Sequence, residues 1–271
     1  MGSIQILRGI AVLFVVILHV THKLQIFSNS NHYFSVGAIG VDLFFVISGF
    51  IMMYATEKKD NILEFLLDRF FRIYPIFCFF ALVTLSIYFF RPDLVNSHSG
   101  KELSFLSTFT LIPLQNKMNI ILVSWALSYE IYYYIIFSIA MLLNKYLSIN
   151  KIISSSLIIF ISIFVGFVLN NEFLKNTVIL EFIFGMLAYG VFKKDNIKKN
   201  IPLDIVCLFI ISFGFPIFIN FYLNGQEIEF SSYRFLVYGI PMLFLFITFI
   251  KYQYVGFFSK TLSLIGNASY S

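Results

Sequence analysis

Residues 4–20 read IQILRGIAVLFVVILHV, an apolar run broken by Arg8 and His19. A bilayer crossing takes about 20 apolar residues, and this run comes close. A charged residue at the membrane centre costs about 2.5–3.5 kcal/mol on insertion scales, so such residues mark function by default. No small-residue cleavage site follows the apolar stretch and Arg8 abuts it directly, so it reads as a retained span and not as a secretory signal. The opening MGSIQI lacks the Ser or Thr at position 6 that myristoylation prefers.

The rest of the chain repeats this character. Its 271 residues are 59% hydrophobic, 20% aromatic and 12% charged, with a mean hydropathy of +0.87. Soluble domains carry about 25% charged residues. The composition therefore excludes a soluble globular domain, a disordered chain, collagen and a disulfide scaffold. The apolar runs are long and do not alternate, which argues against a membrane β-barrel. Candidate spans are 4–20, 36–56, 73–90, 119–143, 152–169, 177–192, 203–223 and 234–250, and a ninth begins near Leu262. The expected fold is all-α: a polytopic transmembrane helical bundle of eight complete spans plus the start of a ninth, in a single domain over 1–271. Cys78 and Cys207 lie inside apolar runs and read as small buried hydrophobes.

The net charge of +5 and pI of about 9.0 are read by membrane side, because positive charge marks cytoplasmic loops. With the N-terminus inside, the inner segments hold 12 Lys and Arg against 6 on the outer side, Arg234 among the latter. A cytoplasmic N-terminus follows. Outer loops carry turn chemistry, as in Arg91-Pro92-Asp93 and Asn224-Gly225.

Four groups of ionisable residues do not belong in lipid. Arg8 and His19 are 11 residues apart, within roughly 20° of one helix face and about 16 Å along the axis. They form a polar seam with an imidazole part-way across, or else Arg8 snorkels and His19 sits at the interface. Asp42 lies in GVDLFFVISGF, residues 40–50, on one face with Gly49. It is expected to pair with His19 or an arginine, or to face water. Glu130, in WALSYE at 125–130, falls mid-span and must face a cavity or a partner, or be protonated. Glu181 begins the span 177–192 and is either interfacial or functional.

On the cytoplasmic side, Asn61 to Glu64 resembles a capping box opening an amphipathic helix that runs to Tyr74. Arg69 and Arg72, at i and i+3, present two guanidinium forks suited to phosphate. The competing reading is an Asp68–Arg72 pair on a helix that meets lipid headgroups. His22, His32 and His98 read as solvated loop residues. Tyr132, Tyr133 and Tyr134 read as packing and interface anchors. The chain has no P-loop, no GxSxG elbow and no HExxH motif. No metal is expected.

In order along the chain, these segments resemble the acyltransferase-3 integral membrane acyltransferases. Arg8 with His19 looks like the family's Arg-x10-His signature, and Gly40 to Phe50 like its second-span motif. RFFRIYP at 69–75 resembles its Arg-x-x-Arg-Ile-x-Pro element, and WALSYE its Trp-x-Leu-x-x-Glu element. EFIFG at 181–185 and GNASYS at 266–271 match later landmarks. The Ile-Gln opening and the Ser-Tyr-Glu element look most like the exopolysaccharide-modifying branch.

The resemblance implies a ten-helix core in a bacterial inner membrane, with this chain short at its C-terminal end. It implies acyl transfer, commonly of acetyl, from cytoplasmic acyl-CoA to a hydroxyl of a surface or lipid-linked glycan. By the same resemblance, His19 is the catalytic base or acyl relay and Arg8 its partner. Asp42 and Glu130 are orienting or site-lining groups, and Arg69 and Arg72 contact the CoA phosphates. Membrane lipids are its other partners, and nucleic acid is not one. Two readings compete. A transporter or flippase for a lipid-linked sugar should show repeat symmetry and broken helices, which the sequence lacks. A catalytically inactive, shortened membrane partner would not need His19.

Overall fold

The structure, a computed structural model, describes residues 2–28, 34–58, 61–95, 102–115, 117–193, 212, 214–223, 232–252 and 259–269. In chain order the helices are α1 (Gly2–Ser28), α2 (Ile39–Ala55), α3 (Ile62–Phe90), α4 (Phe105–Thr110), α5 (Trp125–Leu147), α6 (Lys151–Val168), α7 (Leu180–Lys193), α8 (Phe215–Leu223), α9 (Ile240–Tyr252) and α10 (Ser259–Ala268). A π-helical segment, Phe235–Gly239, leads into α9. The only strand pairing among the described residues is two residues long: β1 (Glu102–Leu103) runs parallel to β2 (Lys117–Met118).

Among the described residues, five helical segments are long and apolar enough to cross a membrane: Gly2–Gln25, Ser35–Ala55, Ile62–Phe90, Leu122–Leu147 and Lys151–Val168. The all-α membrane class expected from the sequence is therefore present. The segments expected at 177–192, 203–223, 234–250 and from Leu262 are described as α7, α8, α9 and α10, of 14, 9, 13 and 10 residues. Cys207, His32, His98, the Asn224-Gly225 turn and Ser271 lie outside the described residues.

Two boundaries differ from expectation. The span placed at 73–90 belongs to one 29-residue helix from Ile62, with Pro75 inside it. Proline removes one backbone donor, yet transmembrane helices tolerate this where neighbours satisfy the freed groups. The Asn61 side chain caps that helix, accepting from the Glu64 N–H at 3.3 Å. The span placed at 119–143 starts as helix only at Trp125, after a short 3-10 turn. Ser124, Asn119, Ser107 and Thr108 hold the preceding chain out of the helix: the Asn119 amide donates to Ser124 Oγ at 2.7 Å, and the Ile120 N–H donates to Thr108 Oγ1 at 2.9 Å.

The chain divides into two compact units, Met1–Glu57 with Thr177–Ser271, and Lys58–Asn176. In the first, α2 and α7 run in the same direction. Phe45 packs on Phe182 with ring centroids 4.7 Å apart, Phe50 meets Tyr189 at 5.8 Å, and Glu57 pairs with Lys193 at 2.8 Å. Backbones meet directly along this seam. A Cβ on Gly49 would lie 2.1 Å from the Phe182 carbonyl oxygen, and one on Gly185 would lie 2.0 Å from that of Val46. Small residues permit such approach in lipid, where packing and not water exclusion drives association. The α1–α10 contact repeats the device, with Gly9 against the Leu262 carbonyl and Gly266 against that of Gln5.

In the second unit, α3 packs on α5 through Phe65, Tyr134 and Phe137, with ring centroids 6.2 and 5.7 Å from Phe65. Tyr129 stacks on Phe173 at 4.2 Å and donates to its carbonyl at 2.9 Å, which fixes the turn after α6. α6 buries Ile159, Ile163 and Gly166 but leaves Phe160, Phe164 and Phe167 exposed. That apolar outer face suits contact with lipid.

Gly49→Ala and Gly185→Ala each force a methyl into a backbone carbonyl. Overpacking costs about 1–3 kcal/mol. Thermal unfolding of the detergent-purified chain is expected at a lower temperature for both. Gly190→Ala, with nothing within 4 Å of its added Cβ, is expected to match or exceed the parent. Equal behaviour of all three variants would refute the close-packed seam.

Candidate functional site

The first unit buries an ion pair. Asp42, on the first turn of α2, is 0% exposed, and Arg234, just ahead of the π-helical segment, is 4% exposed. Arg234 Nε donates to Asp42 Oδ1 at 2.9 Å and Nη2 to Oδ2 at 2.8 Å, a bidentate fork. Nη2 also reaches the Ala38 carbonyl at 3.3 Å, and the guanidinium sits 5.8 Å from the Tyr238 ring centroid. Of the two partners expected for Asp42, the structure supplies an arginine. Arg234, counted from sequence with the outer-side basic residues at the start of the span 234–250, is buried among helices.

Glu181, on the first turn of α7, is 0% exposed. Gly185, four residues on, meets Val46, four residues on from Asp42, so the parallel helices set Glu181 beside Asp42. The match follows from helix spacing: Asp42 and Gly49 share a face of α2, and that face meets α7.

Arg8 and His19 sit on one unbroken helix but in different surroundings. Arg8 is 2% exposed and donates to Ser269, from Nη2 to the carbonyl at 2.7 Å and from Nε to Oγ at 3.3 Å. His19 is exposed. Eleven residues of helix hold the two about 16 Å apart, so Arg8 ties α1 to the end of α10 and does not touch the imidazole.

The second unit gathers Arg69 and Arg72 with Glu130. Arg69 is buried at 9% exposure, its guanidinium 5.7 Å from the Phe65 ring centroid. Its Nε and Nη1 are buried with no hydrogen-bond acceptor among the described residues. Arg72, half-buried, and Arg69 both lie within electrostatic reach of the Tyr134 hydroxyl, which donates to Glu130 Oε1. Glu130 is five residues into α5, on its second turn, and not mid-span, because the helix begins at Trp125. Tyr134 was read from sequence as packing. It does pack, and its hydroxyl also anchors Glu130 beside the arginines. The i, i+4 spacing of Glu130 and Tyr134 was the available signal.

No group of three or more His, Cys, Asp and Glu able to hold a metal occurs among the described residues. Arg234 and Glu181 are the site residues that sequence reading underrated. Their signal was depth: with the N-terminus inside, Asp42, Glu181 and Arg234 each start a span from the outer side.

Comparison with known proteins fits this geometry. The acyltransferase-3 family model, described as an acyltransferase domain, matches residues 1–271. The O-acetyltransferase OatA of Staphylococcus aureus is 27% identical over 307 aligned positions, covering 98% of this chain and 48% of OatA. The exopolysaccharide production protein ExoZ of Rhizobium meliloti is 32% identical over 113 residues, 40% of this chain and 36% of ExoZ. The acyltransferase MdmB of Streptomyces mycarofaciens is 32% identical over 80 residues, 27% of this chain and 20% of MdmB. The chain thus spans half or less of the curated relatives it matches. No solved structure matches it.

Arg234→Gln strips a buried carboxylate of its counter-charge. Breaking one side of a buried pair costs about 3–5 kcal/mol. The Arg234→Gln variant is expected to unfold at a clearly lower temperature, and the Asp42→Asn/Arg234→Gln double variant to cost less than the two single changes together. Additive losses in that cycle would mean the two side chains do not interact.

Proposed function

The chain belongs to the acyltransferase-3 family and is an integral membrane protein, and from that premise we propose that it is a membrane O-acyltransferase. It moves an acyl group, acetyl in the first instance, from cytoplasmic acyl-CoA to a hydroxyl of a surface or lipid-linked glycan. The observation that carries the reading is Arg69, a buried guanidinium whose Nε and Nη1 lack acceptors, beside Arg72. A buried cation with unfilled donors suits an anionic ligand, and two arginine forks suit phosphate. The likeness to OatA, an O-acetyltransferase, and to ExoZ, an exopolysaccharide production protein, supports the acyl group and the acceptor class.

In this reading Arg69 and Arg72 hold the phosphates of the donor, and Tyr134 keeps Glu130 from collapsing onto the arginines. The donor thioester supplies an already activated acyl carbon. What the protein must add is a base for the acceptor hydroxyl and donors for the developing oxyanion. His19 is the base or a transient acyl carrier. Its exposure on α1 leaves the imidazole accessible, whereas Asp42 and Arg8 are already engaged. The acyl carbon leaves sulfur and joins the acceptor oxygen, and the hydroxyl proton ends on the departing thiolate. Asp42 acts from within its ion pair, setting how α2 stands in the first unit, and Arg8 likewise sets α1. The protein resides in a bacterial inner membrane with a cytoplasmic N-terminus, as the 12-to-6 bias of Lys and Arg supports.

The test is the ester content of the surface polysaccharide, by proton NMR, in source cells lacking the gene. At matched expression the chain is expected to restore O-acyl esters. His19→Ala is expected to lower the rate of transfer by at least about 100-fold, the usual scale of a lost general base. In membranes assayed with acetyl-CoA, Arg69→Ala/Arg72→Ala is expected to raise the donor KM by about 10-fold or more, in line with lost charged hydrogen bonds. Full activity of the His19→Ala variant would remove His19 from the mechanism. Failure of the parent chain to restore esters would overturn the enzyme reading for this chain.

A further inference from the structure

The cluster of Asp42, Glu181 and Arg234 does not balance if every member is charged. Arg234 commits Nε and Nη2 to the two oxygens of Asp42, and that pair is neutral. Glu181 adds a second carboxyl, 0% exposed, and neither of its oxygens receives a hydrogen bond from an N–H or O–H donor among the described residues. It is packed against bare backbone: a Cβ on Gly239 would lie 2.9 Å from Glu181 Cγ and 3.2 Å from Oε1. The register of the α2–α7 seam, with Gly185 against Val46, sets Glu181 beside Asp42 one turn back. An ionised carboxylate is an acceptor only, so two of them in contact repel and cannot bond. A buried charge with no partner costs several kcal/mol.

We propose that Glu181 carries a proton and donates it to Asp42, so that Asp42, Glu181 and Arg234 form a buried proton-binding site with no net charge. The charged or titratable groups facing Glu181 are Asp42 from α2 and Arg234 from the turn before the π-helical segment. Tyr238, whose ring lies beside the Arg234 guanidinium, comes from that segment itself. The wide π turn matters here, because it brings the side-chain-free Gly239 against the carboxyl. The site stands independently of the acyl-transfer reading. Its ligand is a proton, and a monovalent metal cation is the rival occupant that the same carboxyl pair would accept.

The experiment is infrared spectroscopy of the purified full chain in an ester-free detergent at about pH 8, where ordinary Asp and Glu are ionised. The wild type is expected to show a protonated-carboxyl C=O band with the intensity of one group, and Glu181→Gln to lack it. Asp42→Asn is expected to lack it too, because Glu181 then ionises against Arg234 and accepts from the new amide. Glu181→Gln keeps an N–H donor toward Asp42, so its unfolding temperature should stay within about 2 °C of the wild type, while Glu181→Ala should fall by about 4 °C or more. No such band in the wild type overturns the proposal without any variant. So does a band that survives in Glu181→Gln, or, should that variant not fold, one that survives in Asp42→Asn. A wild-type unfolding temperature that rises with sodium or potassium at fixed ionic strength assigns the site to a metal cation instead.

Discussion

Everything in the first unit is arranged around one electrostatic constraint: a guanidinium and a carboxylate withdrawn from water must find each other. Arg234 and Asp42 come from helices 192 positions apart in sequence and meet with two short hydrogen bonds. In a low-dielectric interior neither could be left alone, so the pair fixes where α2 and the segment before α9 stand. Glu181 extends the constraint to α7. The apolar packing around Phe50, Phe182 and Phe246 adds affinity between helices but not the choice of neighbour, since lipid tails are as apolar as phenylalanine.

The second unit obeys a different logic. Its polar residues cluster with each other and with aromatic rings. Phe65 offers a ring face to the Arg69 guanidinium, Tyr134 restrains Glu130, and Arg72 adds a second positive charge within reach. A buried guanidinium with two donors unfilled among the described residues is costly, and an anionic group is what would offset that cost. The stretch before α5 is stabilised locally by Asn119, Ser107, Thr108 and Ser124, so it stays irregular yet ordered.

Much of this was legible in the residues. Apolar run lengths gave the helical membrane class, Asn61 and Glu64 gave the start of α3, and the shared face of Asp42 and Gly49 anticipated a close helix contact. What stayed hidden has physical causes. Arg234 follows Ser231, Ser232 and Tyr233, residues that read as loop, and nothing local reveals that a distant carboxylate will draw it inside. Glu130 looked central because residues 119–124 are as apolar as a helix, although side-chain hydrogen bonds divert them. The Arg8–His19 seam assumed that one helix face has one environment. Only the α10 contact around Gly9, with Ser269 at its end, covers the Arg8 end and leaves His19 open, and periodicity cannot show where a neighbouring helix stops.

The parallel seam between α2 and α7 carries a mechanical consequence. Two features fix its register at once: Glu181 set beside Asp42 at one end, and Gly49 and Gly185 interlocked along the middle. Sliding one helix by a single turn, about 5.4 Å, would drive Gly185 off its carbonyl contact and push a bulky side chain into the gap. It would also part Glu181 from Asp42. Shear between these two helices is therefore forbidden, and they must travel as one rigid beam. Any rearrangement that admits a donor or an acceptor to the first unit has to be borne by hinges elsewhere, with α2 and α7 as the fixed reference against which other helices move.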